Sequence, residues 1–128
     1  MVRLNQAREE GPPGSKTPMQ IRVQRLDEAA LIKLSGRLDT KASPDLRKAA
    51  LKLYNKGECK NLTIDFANVS YIDTSGLATL LEILVTAKEN CRQLTLSCLS
   101  EKVRYMIDVN GLAGFFRIET STREELHV

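Results

Sequence analysis

From Gln20 the chain alternates, with Ile21, Val23 and Leu26 set against Arg22, Gln24 and Arg25, and the alternation slips where Asp27-Glu28 turns the backbone. This predicts a half-exposed strand. The more apolar run from Ala29 to Leu34 suits a central strand paired with the first as a hairpin, with Lys33 snorkelling from a strand edge. After Ser35-Gly36 the period changes. Ser43, Pro44 and Asp45 supply a capping hydroxyl, a proline at the first helical position and an acid in the first turn. Leu46, Ala49, Ala50 and Leu53 then recur at helical spacing to about Asn55, with Gly57 as the stop and Arg47, Lys48, Lys52 and Lys56 on the opposite face.

Leu62, Ile64 and Phe66 alternate with Thr63 and Asp65 in a third strand, and Leu94, Leu96 and Cys98 alternate with Thr95 and Ser97 in a fourth. Between them lies an apolar helix with Leu77, Leu80, Leu81 and Leu84 facing inward. A third helix from Ser100 to Asn110 presents Val103, Met106 and Ile107 and stops at Gly111. A short strand near Arg117 to Glu119 follows, and Ser121-Thr122-Arg123-Glu124 has the spacing of a capping box that opens a final helix. The order predicts an α/β fold: a mixed, mainly parallel sheet of four to five strands with amphipathic helices. Residues 1–18 carry Gly11-Pro12-Pro13-Gly14-Ser15 and only Val2 and Leu4 as large aliphatic side chains, which predicts a flexible tail before one domain over 19–128.

Composition narrows the function more than it defines it. The 128 residues, 42% hydrophobic and 27% charged, are those of one ordinary globular domain. Around Leu77 to Val85 the apolar stretch is broken by Thr79 and Glu82, short of the roughly twenty residues a bilayer demands, so no membrane insertion is expected. Met1 to Pro18 has no apolar stretch and reads as no secretory signal, which points to the cytoplasm. A net charge of +3 and few aromatic residues argue against direct nucleic-acid binding, and the basic helix face reads as solvated. Cys59, Cys91 and Cys98 are odd in number and lack C-x-x-C spacing, so reduced and mostly buried thiols are expected, Cys98 in the core, with no metal. His127 is the single histidine and no phosphate-binding loop is present, so neither an enzyme nor a bound cofactor is expected.

The informative segment is Val69 to Leu77, which joins the third strand to the apolar helix and sets Thr74 and Ser75 at that helix's start. Asp73 is the expected N-cap, Ser75 lies in the first turn with its hydroxyl near solvent, and Gly76 keeps the neighbourhood uncrowded. Spacing alone favours the plain reading, in which Asp73, Thr74 and Ser75 do no more than cap a helix. Asp39, after the second strand, taken alone is a loop solubiliser or cap and gains meaning only jointly with Asp73.

Leu34-Ser35-Gly36-Arg37-Leu38-Asp39, then Leu62 through Leu77, then Val103-Arg104-Tyr105-Met106 with Asn110-Gly111-Leu112, resemble the STAS domain of bacterial anti-sigma factor antagonists over about residues 19–126. The D-[ST]-[ST]-G-L element carries the resemblance. It implies a partner-switching module: the unphosphorylated protein binds an anti-sigma factor that is also a serine kinase, frees sigma for transcription, and lets go once phosphorylated. The acceptor the resemblance implies is Ser75, with Asp39, Asp73, Thr74, Ser75 and Gly76 forming the partner-binding surface and the kinase supplying ATP. Roughly two negative charges at a helix start are tolerated by the helix dipole, so modification changes what the surface binds rather than unfolding it. Thr74 stands where antagonists commonly have serine, and Ala78 where many have glycine. That keeps open the alternative of a STAS subunit that docks, without phosphorylation, on the ATPase of an ABC-type lipid transporter or in a stress-signalling complex.

Overall fold

A computed structural model describes residues 19–55 and 59–121; the expectations for the tail, for Gly57 as a helix stop and for a helix beyond Ser121 lie outside them. Strands β1 (Gln20–Leu26) and β2 (Ala29–Leu38) form the antiparallel hairpin the alternation predicts, with Asp27 at φ 55 in the turn. An aspartate tolerates that left-handed conformation because its short polar side chain bonds locally. Helix α1 (Ser43–Asn55), β3 (Asn61–Ile72), α2 (Thr74–Glu89), β4 (Gln93–Ser97), α3 (Glu101–Val109) and β5 (Arg117–Glu119) follow in turn. The sheet order is β1-β2-β3-β4-β5, antiparallel only at the first pair. Burial of Leu94, Thr95, Leu96 and Ser97 in succession means that helices cover both faces of β4, as parallel strands require. The core runs from Ile32 and Leu34 through Ile64 and Phe66 to Leu80, Ile83, Leu96 and Ile107, all buried.

The differences from the sequence reading are local and physical. Lys33 is not at an edge: β2 lies between β1 and β3, with Lys33 in register with Arg22 on one side and Asp65 on the other. Asp65, expected to point outward, is buried and its Oδ1 accepts the Ala67 amide at 2.8 Å. The stripe of α2 is completed by Ile83 and Ala87, while Leu81 is only half-buried. Of the thiols only Cys59 is buried; Cys91 is exposed, and Cys98 is half-buried beyond β4 at φ 58, because the strand ends at Ser97. β1 is more exposed than expected, with Val23 and Leu26 largely open to solvent.

Strand β3 also runs on past the alternation that announced it, and this extension positions the site. Its register with β2 shifts between Lys33 and Ser35 and again between Gly36 and Arg37, after which the two strands continue together to the pair Leu38 and Ile72. Bulges of this kind re-aim a strand without ending its pairing.

Candidate functional site

Because Leu38 and Ile72 are register partners in parallel strands, Asp39 and Asp73 emerge side by side at the carboxyl edge of the sheet. The Asp73 amide donates to the Leu38 carbonyl across 3.3 Å, so the pairing extends to Asp73 itself. Each aspartate then caps the segment that follows. Oδ1 of Asp39 accepts the amides of Lys41 and Ala42 at 3.1 Å each, and its carbonyl accepts the Ser43 hydroxyl at 2.8 Å. Ser43 is therefore a donor to the preceding turn, not the capping acceptor that its place before Pro44 suggested. Asp39 closes the turn that leads into α1.

Asp73 is the N-cap of α2, as the sequence predicts. Its Oδ1 accepts the Ser75 and Gly76 amides at 3.0 Å each and the Ser75 hydroxyl at 2.7 Å. Burial pushes this carboxyl's pKa up, but the hydrogen bonds from the Ser75 hydroxyl and the Gly76 and Ser75 amides outweigh it, and the net value lies below the usual one. Asp73 is a carboxylate. The Ser75 hydroxyl lies 3.2 Å from that of Thr40, so a half-buried Ser75 is held from both sides. Thr74, one residue earlier, is exposed.

Gly76 does the opposite of leaving room. A Cβ there would stand 2.6 Å from the Leu38 carbonyl oxygen and 2.8 Å from Cγ1 of Ile72. The glycine lets the first turn of α2 press against the ends of β2 and β3, which brings the two capped turns together.

Two concavities flank the carboxylates. One, of about 300 Å³, is lined by Arg37, Asp39, Thr40, Lys41, Tyr71 and Asp73, so Asp39 and Asp73 do share a single surface. Arg37 stacks over the Tyr71 ring at 4.0 Å, with its Nε 3.9 Å from Oδ2 of Asp39. The other is a groove of about 780 Å³ between the start of α2 and helix α3, with Tyr71 and Ile72 on one wall, Tyr105 and Met106 on the other, and Thr74 at its lip. Tyr105 is 64% exposed, an open aromatic side chain beside that groove. Sequence reasoning missed Arg37, Thr40, Tyr71 and Tyr105. Tyr71 and Tyr105 carried a faint signal, as aromatics outside the apolar stripes. Arg37 stood in a segment that carries the family resemblance, without a role of its own, and Thr40 carried no signal.

Among the described residues no cluster of three or more His, Cys, Asp or Glu could hold a metal ion, and no helix is long and apolar enough to cross a membrane. The geometry instead presents an exposed hydroxyl, two ordered carboxylates and an apolar groove, the elements of a surface that binds.

Comparison with known proteins agrees with this architecture. The STAS domain family model matches residues 20–125. An anti-sigma-B factor antagonist of Staphylococcus epidermidis is 26% identical over 99 residues, covering 77% of this chain and 91% of that protein. The crystal structure of an anti-sigma factor antagonist from Mycobacterium paratuberculosis superposes with a TM-score of 0.74 at 20% identity, covering 91% of this chain and 95% of the other. The Bacillus cell fate determinant SpoIIAA, in its phosphorylated form, superposes with a TM-score of 0.66 at 22% identity, over 82% of this chain and 94% of that one.

Proposed function

The chain belongs to the STAS domain family, and from that premise we propose that it is an anti-sigma factor antagonist, a binding module switched by phosphorylation where α2 begins. In this reading the unmodified protein docks an anti-sigma factor that is also a serine/threonine kinase, releasing sigma, and a phosphoryl group ends the docking. The kinase brings ATP; this chain contributes the acceptor and the surface. The similarity to an anti-sigma-B factor antagonist and to SpoIIAA supports the reading at the level of the family.

One observation carries the site: an exposed hydroxyl stands at the lip of an apolar groove, on the first residue of α2. Of the two candidate hydroxyls, Ser75 is the one the resemblance implied, but it is half-buried and already donates to Asp73. Thr74 is exposed and lines the groove. We therefore place the acceptor at Thr74, with Ser75 and Asp73 as the scaffold beneath it. A phosphate on Thr74 adds roughly two charges that the α2 dipole tolerates, so the fold persists. At the groove's lip the same charges must be desolvated before an apolar partner can close over it, and docking is lost.

The test begins with affinity capture of the protein from its own cells. Recovery of a kinase that labels it from ATP is expected, whereas recovery of a transport ATPase with its permease overturns the reading. With that kinase, Thr74→Ala is expected to abolish labelling and Ser75→Ala to retain most of it. The reverse pattern moves the acceptor to Ser75.

A further inference from the structure

The groove beside Thr74 holds a cation whose place its own helix does not explain. Lys102 is exposed and lines the groove together with Thr74, from the first turn of α3. Ser100 caps that turn by accepting the Val103 amide at 3.2 Å. A positive charge there opposes the helix dipole, which favours the neighbouring Glu101 and disfavours Lys102. Tyr105 and Met106, one turn further on, offer it no acid. Among the described residues Lys102 enters no ion pair, whereas Arg104, two positions later, is drawn to Asp108 at 3.2 Å. Of the residues that line the groove, Lys102 is the single cation, and Asp73 and Glu101 are the acids. Arg37 and Lys41 line only the smaller concavity on the Asp39 side, where Arg37 is already stacked on Tyr71.

We propose that Lys102 is a built-in receptor for a phosphoryl group on Thr74, and that the resulting ion pair bridges the groove and covers its apolar floor. This rests on the reading that places the acceptor at Thr74. When the kinase moves the γ-phosphoryl group of ATP onto the Thr74 oxygen, the hydroxyl proton is lost and ADP leaves, and a group of nearly two negative charges stands at the lip that faces α3. Hydrogen bonds between an ammonium and a phosphate are charge-assisted, and the flexible lysine stem lets the charge follow its partner. Two groups oppose the bridge. Asp73 repels the phosphate, but its Oδ1 is already occupied by three donors, and Glu101 competes for Lys102 only from the adjacent position on the same turn. The phosphate also offsets a cation set against the α3 dipole while it sits at the favourable end of the α2 dipole. Docking is then lost for two reasons: the charge at the lip resists desolvation, and a bridge lies across the surface of Ile72 and Met106 that a partner needs. A phosphate on Ser75 makes no such bridge, because Ser75 does not line the groove and is held between Asp73 and Thr40.

The experiment uses the full chain with phosphothreonine installed at position 74 during synthesis, so that it needs neither kinase nor partner. Phosphorus resonance followed against pH at low salt gives the second pKa of the phosphate, ordinarily about 6. A nearby cation favours the dianion and lowers this value, so Lys102→Gln is expected to raise it by about half a unit or more, and Lys41→Gln to leave it in place. The α2 dipole, Asp73 and Glu101 act equally in both proteins, and the difference isolates Lys102. Limited reductive methylation, read by peptide mapping, is expected to modify Lys102 roughly threefold more slowly in the phosphorylated chain than in the unmodified one, with Lys48 unchanged. A phosphate pKa that Lys102→Gln does not move, or that Lys41→Gln moves as far, overturns the bridge, as does a Lys102 labelled at the same rate in both forms. Labelling of Ser75 by the captured kinase overturns instead the placement of the acceptor on which the bridge rests.

Discussion

The hydroxyl of Ser75 donates to Oδ1 of Asp73 across 2.7 Å, on the same oxygen that accepts the Ser75 and Gly76 amides. Three donors on one carboxylate oxygen make Asp73 the anchor of α2, and they favour its charged form. A carboxyl held below its usual pKa adds stability that is fully present above the unfolded value, near 4, and is lost as pH falls through the lower folded value. Asp73→Ala is expected to cost about 1 kcal/mol at pH 7, the ordinary worth of an N-cap. Urea unfolding at a series of pH values checks this. The gap to the wild type must narrow below about pH 4, and a gap that stays constant contradicts the assignment.

Gly76 tests how tightly the two strand ends hold the helix start. Alanine is the better helix former by about 1 kcal/mol, which by itself would make Gly76→Ala stabilising. The added methyl, however, meets the Leu38 carbonyl at 2.6 Å and Leu38 Cγ at 2.9 Å. A backbone carbonyl cannot swing away, and overpacking costs about 1–3 kcal/mol. A net loss of up to about 2 kcal/mol is expected, read as a lower midpoint of thermal or urea unfolding.

The same neighbourhood shows how far the sequence could be read. Elements whose apolar residues kept a strict period were legible: the β1–β2 hairpin, α1 to Asn55, and α3 between its Ser100 and Asn110 caps. Legibility failed where backbone geometry overrides the period. The bulges that carry β2 and β3 on to Leu38 and Ile72 interrupt the alternation, so the last third of β3 looked like a loop. Asp73 could be found because an N-cap is a local relation between neighbours in sequence. The Thr40 to Ser75 contact and the stacking of Arg37 on Tyr71 span some thirty-five residues, and no local pattern encodes them. Gly76 was misread for the same reason: the atoms that require a glycine there belong to Leu38.

The three thiols offer a check on burial that does not involve function. Cys91 is exposed, Cys98 half-buried, and Cys59 buried, with burial pushing the Cys59 thiol's pKa up. Since the thiolate is the reactive form, disulfide-exchange labelling under native conditions is expected to modify Cys91 first, Cys98 more slowly and Cys59 only on unfolding. Peptide mapping at successive times reads the order. Early labelling of Cys59 would contradict the packing beneath α1.

Tyr105 separates docking from folding. Its ring is 64% exposed beside the groove that Thr74 borders, so it lies outside the core that α3 builds with Val103 and Ile107. Surface truncations away from caps and networks usually shift stability by no more than about 0.5 kcal/mol, and Tyr105→Ala is expected to melt with the wild type. Exposed tyrosines at a binding surface behave differently, because a rigid aromatic buries a large area on docking at little entropic cost. If the proposed partner closes over the Thr74 lip, it covers Tyr105 as well, and loss of that ring should raise the dissociation constant by roughly thirtyfold, about 2 kcal/mol. Titration calorimetry with the captured partner measures this directly. A Tyr105→Ala protein that binds as tightly as the wild type, while Thr74→Asp abolishes binding, would place the interface on the Asp39 side of the switch, across Arg37 and Tyr71, and leave the groove outside it.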